Sequence, residues 1–348
     1  MYLDHAATTP IRPEAVAAME QGFAIWANPS SPHAEGRKAK QALEDARVRV
    51  KRALDWDGEV IFTSGASEAA ALAINHVQAQ RKAVSEVEHD AVFLPGLETF
   101  DAIFPVDSNG SVSRGNIHEA VGAASTSPEE KERRTLICMQ HVNSETGAVL
   151  QGTDAAEILA SYDAVTLSDC SQSAGKLELP ETDMAIVSAH KLGGPIGIGA
   201  LLVRDYGLLH PGGGHERGYR RGTENLPAAL GFAAALENTG WHTTSAKREA
   251  FYDQFGDARL KFGKQVDFIG ALTHPAISAQ ALLIRLDAMG IAVSAGSACS
   301  SGTLKKSRVL DAFGVDDDTA ARTIRVSLGW NTTPEELETF TKAWTSLS

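Results

Sequence analysis

The stretch "EVIFTSGASEAAALAINHV" (59–77) restricts the fold of this chain more than any other. A short apolar run is followed by a Ser-Gly turn and then by an alanine-rich segment. A strand feeding a helix through small residues is the repeating unit of an α/β fold. Four further runs, "TLICMQHV" (135–142), "DAVTLSD" (163–169), "DMAIVSA" (183–189) and "GALLVR" (199–204), are short, apolar and β-branched. Strands buried in a parallel sheet have this texture. "TDAAEILASY" (153–162) supplies a helical crossover between two of them. In "GRKAKQALEDARVRVKRAL" (36–54), Ala39, Leu43, Ala46, Val50 and Leu54 recur at helical spacing, and Arg and Lys fill the remaining face. The expected fold class is α/β, with a mostly parallel central sheet flanked by helices.

After about Asn238 the texture changes. A helical "TSAKREAFYDQFGDARLKF" leads to a short strand, then to the helix "SAQALLIRLDAMG", then to "IAVSAG" and "TIRVSLGW". In "TTPEELETFTKAW", Thr333 reads as an N-cap, Pro334 as the first helical residue and Glu336 as the partner in a capping box. Mixed elements in this order suggest a smaller α+β domain. The expected division is a large domain over residues 12–238, with 1–11 and 239–348 forming the small one.

Charge and cysteine usage narrow the function classes. The 348 residues carry a formal net charge of −12, which disfavours a nucleic-acid binder needing a basic surface. No apolar run approaches the roughly 18 residues that span a bilayer. The N-terminus has neither a basic region nor an apolar core of a signal peptide. Cys138, Cys170 and Cys299 are far apart and odd in number, which fits free thiols in a reducing compartment. The chain is expected to be soluble and cytoplasmic, without a membrane or nucleic-acid partner.

Three stretches carry chemistry. In "DMAIVSAHKLGGPIGIG", Lys191 follows an apolar strand and precedes a Gly-Gly-Pro turn. Such a lysine either snorkels to the surface or is desolvated with a lowered pKa. In "FTSGASE" the turn at Ser64–Ser67 hands over to a helix, so that Ala66 and Ser67 offer either a phosphate cradle or an ordinary cap. Asp169 in "SDCSQSAGK" ends an apolar strand, with Gln172 one turn on; it suits a protonated ring nitrogen or a helix cap. A phosphate cradle, a lysine for covalent attachment and an Asp for a pyridinium nitrogen are what a pyridoxal phosphate site requires. "PGGGHERGYRRGTEN" (211–225) adds Arg217, Arg220 and Arg221, which are solvated, clamp an anion or reach a partner subunit. No second His follows "HERG" at zincin spacing, so no metal is expected, and no GxSxG elbow supports a serine hydrolase.

Together these stretches closely resemble the cysteine desulfurases of the NifS/IscS type, in the class V aminotransferase family. The resemblance runs through "YLDHAATTP", "NPSSPHAEG" (28–36), "IFTSGASEA", "VEHDAV" (87–92), "HVNSETG" (141–147), "DCSQSAGK", "SAHKLGGPIGIG", "GGGHERGYRRGTEN", "SAGSACSSG" (294–302) and "IRVSLG". It implies the fold type I architecture of pyridoxal phosphate-dependent transferases. It implies that Lys191 bonds to pyridoxal phosphate and moves the substrate α-proton, and that His89 stacks on the ring. Asp169 would pair with the ring nitrogen and Gln172 with the phenolic oxygen. Ala66, Ser67, Ser188 and His190 would hold the phosphate, together with Thr223 from the other subunit of a homodimer. Asn143, Arg325 and Asn28 would hold the carboxylate of L-cysteine. Cys299 would take the sulfur as a persulfide, leaving L-alanine, and pass it to a scaffold or carrier protein for iron–sulfur cluster assembly or other sulfur transfer.

The Ser, Ala and Gly residues around Cys299 suit a loop that must swing between the cofactor and an outside acceptor. No basic residue lies within four positions of Cys299, so its activation must come from groups distant in sequence. The length from Cys299 to Val309 matches relatives with a long loop, while Lys305 and Lys306 stand where an acidic or neutral pair is common. The chain ends 18 residues after Trp330, shorter than many relatives, so scaffold docking through a longer tail is not expected. Cys138 reads as core, and Cys170, where relatives usually carry Ala, as packing beside the cofactor. A selenocysteine lyase or an aminotransferase of the same fold is the alternative chemistry. A non-catalytic partner protein is the alternative class, disfavoured by the joint presence of Lys191, His89, Asp169 and Cys299.

Overall fold

Side chains of adjacent strand residues point to opposite faces of a sheet, so a strand apolar at every position needs cover on both sides. The computed structural model, which describes residues 1–96, 98–113, 115–117, 119, 134–150, 164–295 and 307–347, shows this arrangement. Its main sheet comprises β1 (Glu59–Thr63), β2 (Arg81–Ser85), β3 (Ala102–Phe104), β4 (Thr135–Cys138), β5 (Ala164–Asp169), β6 (Met184–Ser188) and β7 (Gly199–Val203), in the order β1-β7-β6-β5-β4-β2-β3. Val60, Phe62, Ala185, Val187, Ala200 and Leu202 pack on one face against α1 (Pro13–Ile25), α2 (Ala34–Ala53) and a later helix, Leu226–Glu237. Their neighbours Ile61, Met184, Ile186, Leu201 and Val203 pack on the other face against α3 (Ala66–His76). Next in chain order come α4 (Asp90–Gly96) and α5, the Leu226–Glu237 helix just named.

The four runs expected as strands are β4 to β7. Pairing is parallel among β3, β2, β4, β5 and β6, but β7 runs antiparallel to both β6 and β1. The expectation that 199–204 joins a parallel sheet is thereby corrected. Only residues 189–198 link β6 to β7, and a parallel pairing needs a crossover of about a dozen or more residues. The expected crossover helix at 153–162 lies outside the described residues.

The second sheet is an antiparallel pair, β8 (Ile269–Thr273) and β9 (Thr323–Ser327). It packs with α6 (Ser245–Asp253), α7 (Ala279–Ala288), and a C-terminal helix, Pro334–Leu347, around Tyr252, Leu282, Phe340 and Trp344. Leu3 and Ala6 join this core, so the first residues side with the last hundred. Between α7 and that last helix come α8 (Arg308–Ala312) and α9 (Asp317–Ala320), which makes Pro334–Leu347 α10. The capping box of α10 is present in both directions. Glu336 N–H donates to Thr333 Oγ1 at 3.3 Å, and Thr333 N–H to Glu336 Oε2 at 3.0 Å. The helix expected over 244–262 is shorter; α6 ends at Asp253, and Gly256 takes a left-handed φ of 52° in the turn that follows. Val309 and Leu310 of α8, with Phe313 just after it, pack with Ala83, Phe104 and Ile137, so a core runs from β2, β3 and β4 into the C-terminal part. No helix among the described residues is long and apolar enough to cross a membrane.

Candidate active site

Parallel strands present their C-terminal ends along one edge, where ligands of open α/β sheets collect. In this chain Asp169 ends β5, Ser188 ends β6, and Lys191 follows in the short 3₁₀ turn Ala189–Lys191. They open onto a cavity of about 410 Å³, large enough for a small cofactor and a substrate. Ala66, Ser67, His89, Asp169, Gln172, Ser188, His190 and Lys191 all line it.

At one wall Gly65 precedes α3 with a φ of 151°, and no side chain caps the helix. The reading of Ser64 or Ser67 as an ordinary cap therefore fails, because neither hydroxyl accepts an N–H of the helix. The first-turn N–H groups of α3 face the cavity with the positive end of the helix dipole. Gly199 of β7 passes so close that a Cβ there would lie 2.8 Å from the Gly65 Cα, which explains the glycine at 199; Gly65 itself is favoured by its positive φ, since a Cβ there would meet nothing within 4 Å.

The N-terminal segment holds two of the lining side chains in place. Lys191 Nζ donates to Ala6 O at 2.6 Å and Ala7 O at 2.7 Å, and Gln172 Nε2 donates to Ala6 O at 2.9 Å. Thr9 Oγ1 donates to Lys191 O at 3.1 Å. Burial, reinforced by the nearby Arg325 charge, lowers the Lys191 amine to about 8. Lysine is thus desolvated here, and the snorkelling alternative is set aside. Burial and the Lys191 charge likewise push His190 down to about 4, so its imidazole is neutral; its Nδ1 lies 3.1 Å from Thr8 Oγ1. Asp169 is buried and accepts from the Ser171 N–H at 2.8 Å, capping a turn but no α-helix.

Several groups here were not singled out from sequence. Glu88 is fully buried beside Asp169, and burial followed by the Asp169 charge raises its carboxyl well above the ordinary range. One of its oxygens accepts the Gln140 N–H. Arg47 does not join the charged outer face of α2; it is buried and pairs bidentately with Glu216, at 2.7 and 3.1 Å. Glu216 Oε2 also accepts the Phe62 N–H at 2.9 Å. That pair pins the 211–225 loop to β1, where Glu216 and Arg217 hold left-handed φ values of 47° and 56°. The loop's arginines are engaged: Arg217 with Glu44 at 2.9 Å, Arg220 with Glu68 at 2.8 Å, and Arg221 with Gly212 O at 3.3 Å.

Four expected site residues stand apart from this cavity. Asn143 is buried, but its Oδ1 accepts from Glu145 N, Thr146 N and Thr146 Oγ1, and its Nδ2 donates to Val87 O. Arg325 donates to Ser144 O at 3.0 Å and pairs with Asp4 at 2.8 Å, while its Nε is buried without a partner. Asn28 and Thr223 are exposed, and their loops meet at a second cavity lined by Pro29, Ser30, His215, Arg217 and Glu224. Cys299, Lys305 and Lys306 lie outside the described residues. Cys138 and Cys170 are buried in the core as expected, and burial pushes the Cys170 thiol up to about 12. Neither is ionised near neutral pH. Thiol alkylation of the folded protein is therefore expected to spare Cys138 and Cys170, checked by peptide mass mapping.

The family model for aminotransferase class-V matches residues 1–340. The chain belongs to that family. Its cofactor is accordingly pyridoxal phosphate, and the cavity fits it. Ser171 Oγ and Gln172 Oε1 are both buried in the cavity lining without a partner within the chain, as groups awaiting a polar ligand would be. The uncapped α3 suits its phosphate, and Asp169 its ring nitrogen. The putative cysteine desulfurase IscS 1 of Bacillus subtilis is 33% identical, over 98% of this chain and 97% of its own. The cysteine desulfurase IscS 1 of Archaeoglobus fulgidus is 32% identical, over 97% and 94%. Among solved structures, the NifS-like protein of Rickettsia africae superposes with a TM-score of 0.86, at 27% identity, over 100% of this chain and 99% of that one. SspA in complex with cysteine superposes with a TM-score of 0.80, at 30% identity, over 95% and 99%. The architecture is that of fold type I.

Proposed function

We infer that this chain is a cysteine desulfurase, converting L-cysteine and the Cys299 thiol into L-alanine and a Cys299 persulfide. The carrying observation is the convergence of a desolvated Lys191, Asp169, Gln172, His89 and an uncapped helix on one cavity, in a chain whose near full-length relatives bear that name. Pyridoxal phosphate, when bound, supplies an electron sink for the bond changes at the substrate α-carbon.

The chain's own residues do the rest. Lys191 attaches the cofactor and carries the α-proton, a task for which an amine near pKa 8 is matched to neutral pH. Asp169 would keep a proton on the ring nitrogen, His89 would cover the ring, and Gln172 would meet its phenolic oxygen. Ala66, Ser67, Ser188 and neutral His190 receive the phosphate. Arg325 meets the substrate carboxylate only by turning its guanidinium from Ser144 O and Asp4 towards the cavity. Asn143 joins it only by releasing Val87 O. The Cys299 thiolate attacks the substrate sulfur. The S–S bond forms as the C–S bond breaks, and the electron pair left on carbon takes up a proton to give alanine. The persulfide then passes to a scaffold or carrier protein, in a cytoplasmic role that includes iron–sulfur cluster assembly.

A homodimer completes the picture. Asn28 and Thr223 are exposed and absent from the lining of the Lys191 cavity, as residues serving a partner's site would be. Trp26 is 87% exposed near the end of α1, and Ile196, on the rim of the Lys191 cavity, is 80% exposed. Apolar side chains this exposed call for cover. Sedimentation of the holoenzyme is expected to give twice the monomer mass, and Trp26→Asp to shift it towards the monomer.

The test of the activity is alanine formation from L-cysteine with excess reductant. Wild type is expected to form alanine and Cys299→Ala to form none beyond background. Equal rates in both would remove Cys299 from the reaction, and no alanine from a cofactor-loaded wild type would remove unassisted desulfuration.

A further inference from the structure

We propose that Arg308 is a positioning residue for His89, holding the turn that presents this imidazole to the cofactor cavity. The proposal rests on the reading above, in which His89 covers the cofactor ring. His89 belongs to a connection from β2 to α4 that has no sheet ladder of its own. Glu86 N–H reaches Phe104 O at 3.0 Å and Glu88 N–H reaches Ser85 O at 3.2 Å. The carbonyls of Glu86 and Glu88 are met instead by one guanidinium. Arg308 Nη1 donates to Glu86 O, and Nη2 donates to Glu88 O at 2.6 Å. The same group pairs with Asp90 Oδ1 at 3.2 Å and lies 3.8 Å from the centroid of the Phe93 ring. Two carbonyls, a carboxylate and a ring, all within residues 86–93, thus converge on a single side chain, with His89 between them.

The anchor itself is firm. Ser307 caps α8 by accepting Leu310 N–H at 3.0 Å and donates to Glu145 Oε2 at 2.6 Å. Val309 and Leu310 then bury beside Val87. The His89 ring accepts the Ala91 N–H on Nδ1 at 3.0 Å, so its orientation follows the backbone of the turn. Whatever moves that backbone tilts the ring. Lysine cannot replace the fork, because a point-like ammonium does not span two carbonyls in fixed geometry while stacking on a ring.

The experiment compares wild type, Arg308→Lys, Arg308→Gln, His89→Ala and the double variant His89→Ala with Arg308→Lys, all loaded with pyridoxal phosphate. Arg308→Lys is expected to lower kcat about 10- to 100-fold with little change in KM, the usual cost of a misplacement near 1 Å. The visible circular dichroism of the bound cofactor should change towards that of His89→Ala. The double variant should be no slower than His89→Ala, since effects through one shared group do not add. Additive losses, or a wild-type dichroism in both Arg308 variants, would overturn the proposal. Should Arg308→Lys fold poorly, judged by its melting curve, Arg308→Gln carries the same comparison. If even the wild type shows no cofactor band, the reading of the site falls and the proposal with it.

Discussion

Lys191→Ala is expected to reduce alanine formation by about 10²- to 10⁴-fold or more, the range lost with a positioned acid–base group. Burial is what makes Lys191 useful. An ordinary lysine is neutral in only about 0.03% of molecules at pH 7, whereas one lowered to about 8 is neutral in roughly a tenth of them. The apoprotein should therefore capture the cofactor aldehyde at a rate that rises with pH and levels off just above pH 8, with no further rise towards 10.5. Stopped-flow absorbance checks this, and a plateau only above pH 10 would show that the amine is not desolvated.

The same burial has a stability signature whose sign is fixed. Between about pH 8 and pH 10.5 the unfolded chain holds the Lys191 proton and the folded chain does not, so folding stability rises across that window. Below pH 8 both forms hold the proton, and the full cost of burying the charge remains. Apoprotein melts are thus expected to climb between pH 8 and 10.5 relative to those of Lys191→Met, which has no proton to lose.

Glu216→Ala is expected to destabilise the protein by about 3–5 kcal/mol, the cost of removing one partner of a buried ion pair. The substitution leaves the Arg47 guanidinium buried without its counter-charge and strips the Phe62 N–H of its acceptor. It also frees a loop whose left-handed residues Glu216 and Arg217 are held in place by that pair. Replacing both partners with apolar residues, as Arg47→Met with Glu216→Leu, should restore much of the loss, because no charge is then stranded. Urea unfolding of the single and double variants measures both effects. A loss below about 1 kcal/mol in Glu216→Ala would mean that water reaches Arg47.

Local pattern accounts for what could be read early. The runs that became β4 to β7 are short and apolar throughout, and period alone separates them from α2. The capping box of α10 is a matter of residues three positions apart, so it was legible before any tertiary contact. Lys191, Asp169, Gln172 and the Ser64–Ser67 turn each sit at the end of a recognisable strand, which is why their meeting at one sheet edge could be anticipated.

What depends on distant partners could not. The pairing of β7 with β1, far back in the chain, is not written in composition, although its reversal beside β6 follows from the short 189–198 connection. Arg47 looked like one more charge on an amphipathic helix, and only the arrival of Glu216, far along the chain, makes its burial affordable. Ala6 and Ala7 hold Lys191 through backbone carbonyls, which no side-chain pattern announces. Arg308 reaches back across the fold to the His89 turn for the same reason: its partners are main-chain oxygens. Propensity and periodicity act over a few residues, so the elements and the kinds of group available for chemistry are legible in local pattern. Which charges are buried, which carbonyls are shared and which side chains turn from the cavity emerge only when the chain is packed. Those outcomes depend on desolvation and on hydrogen bonds between residues far apart in the chain.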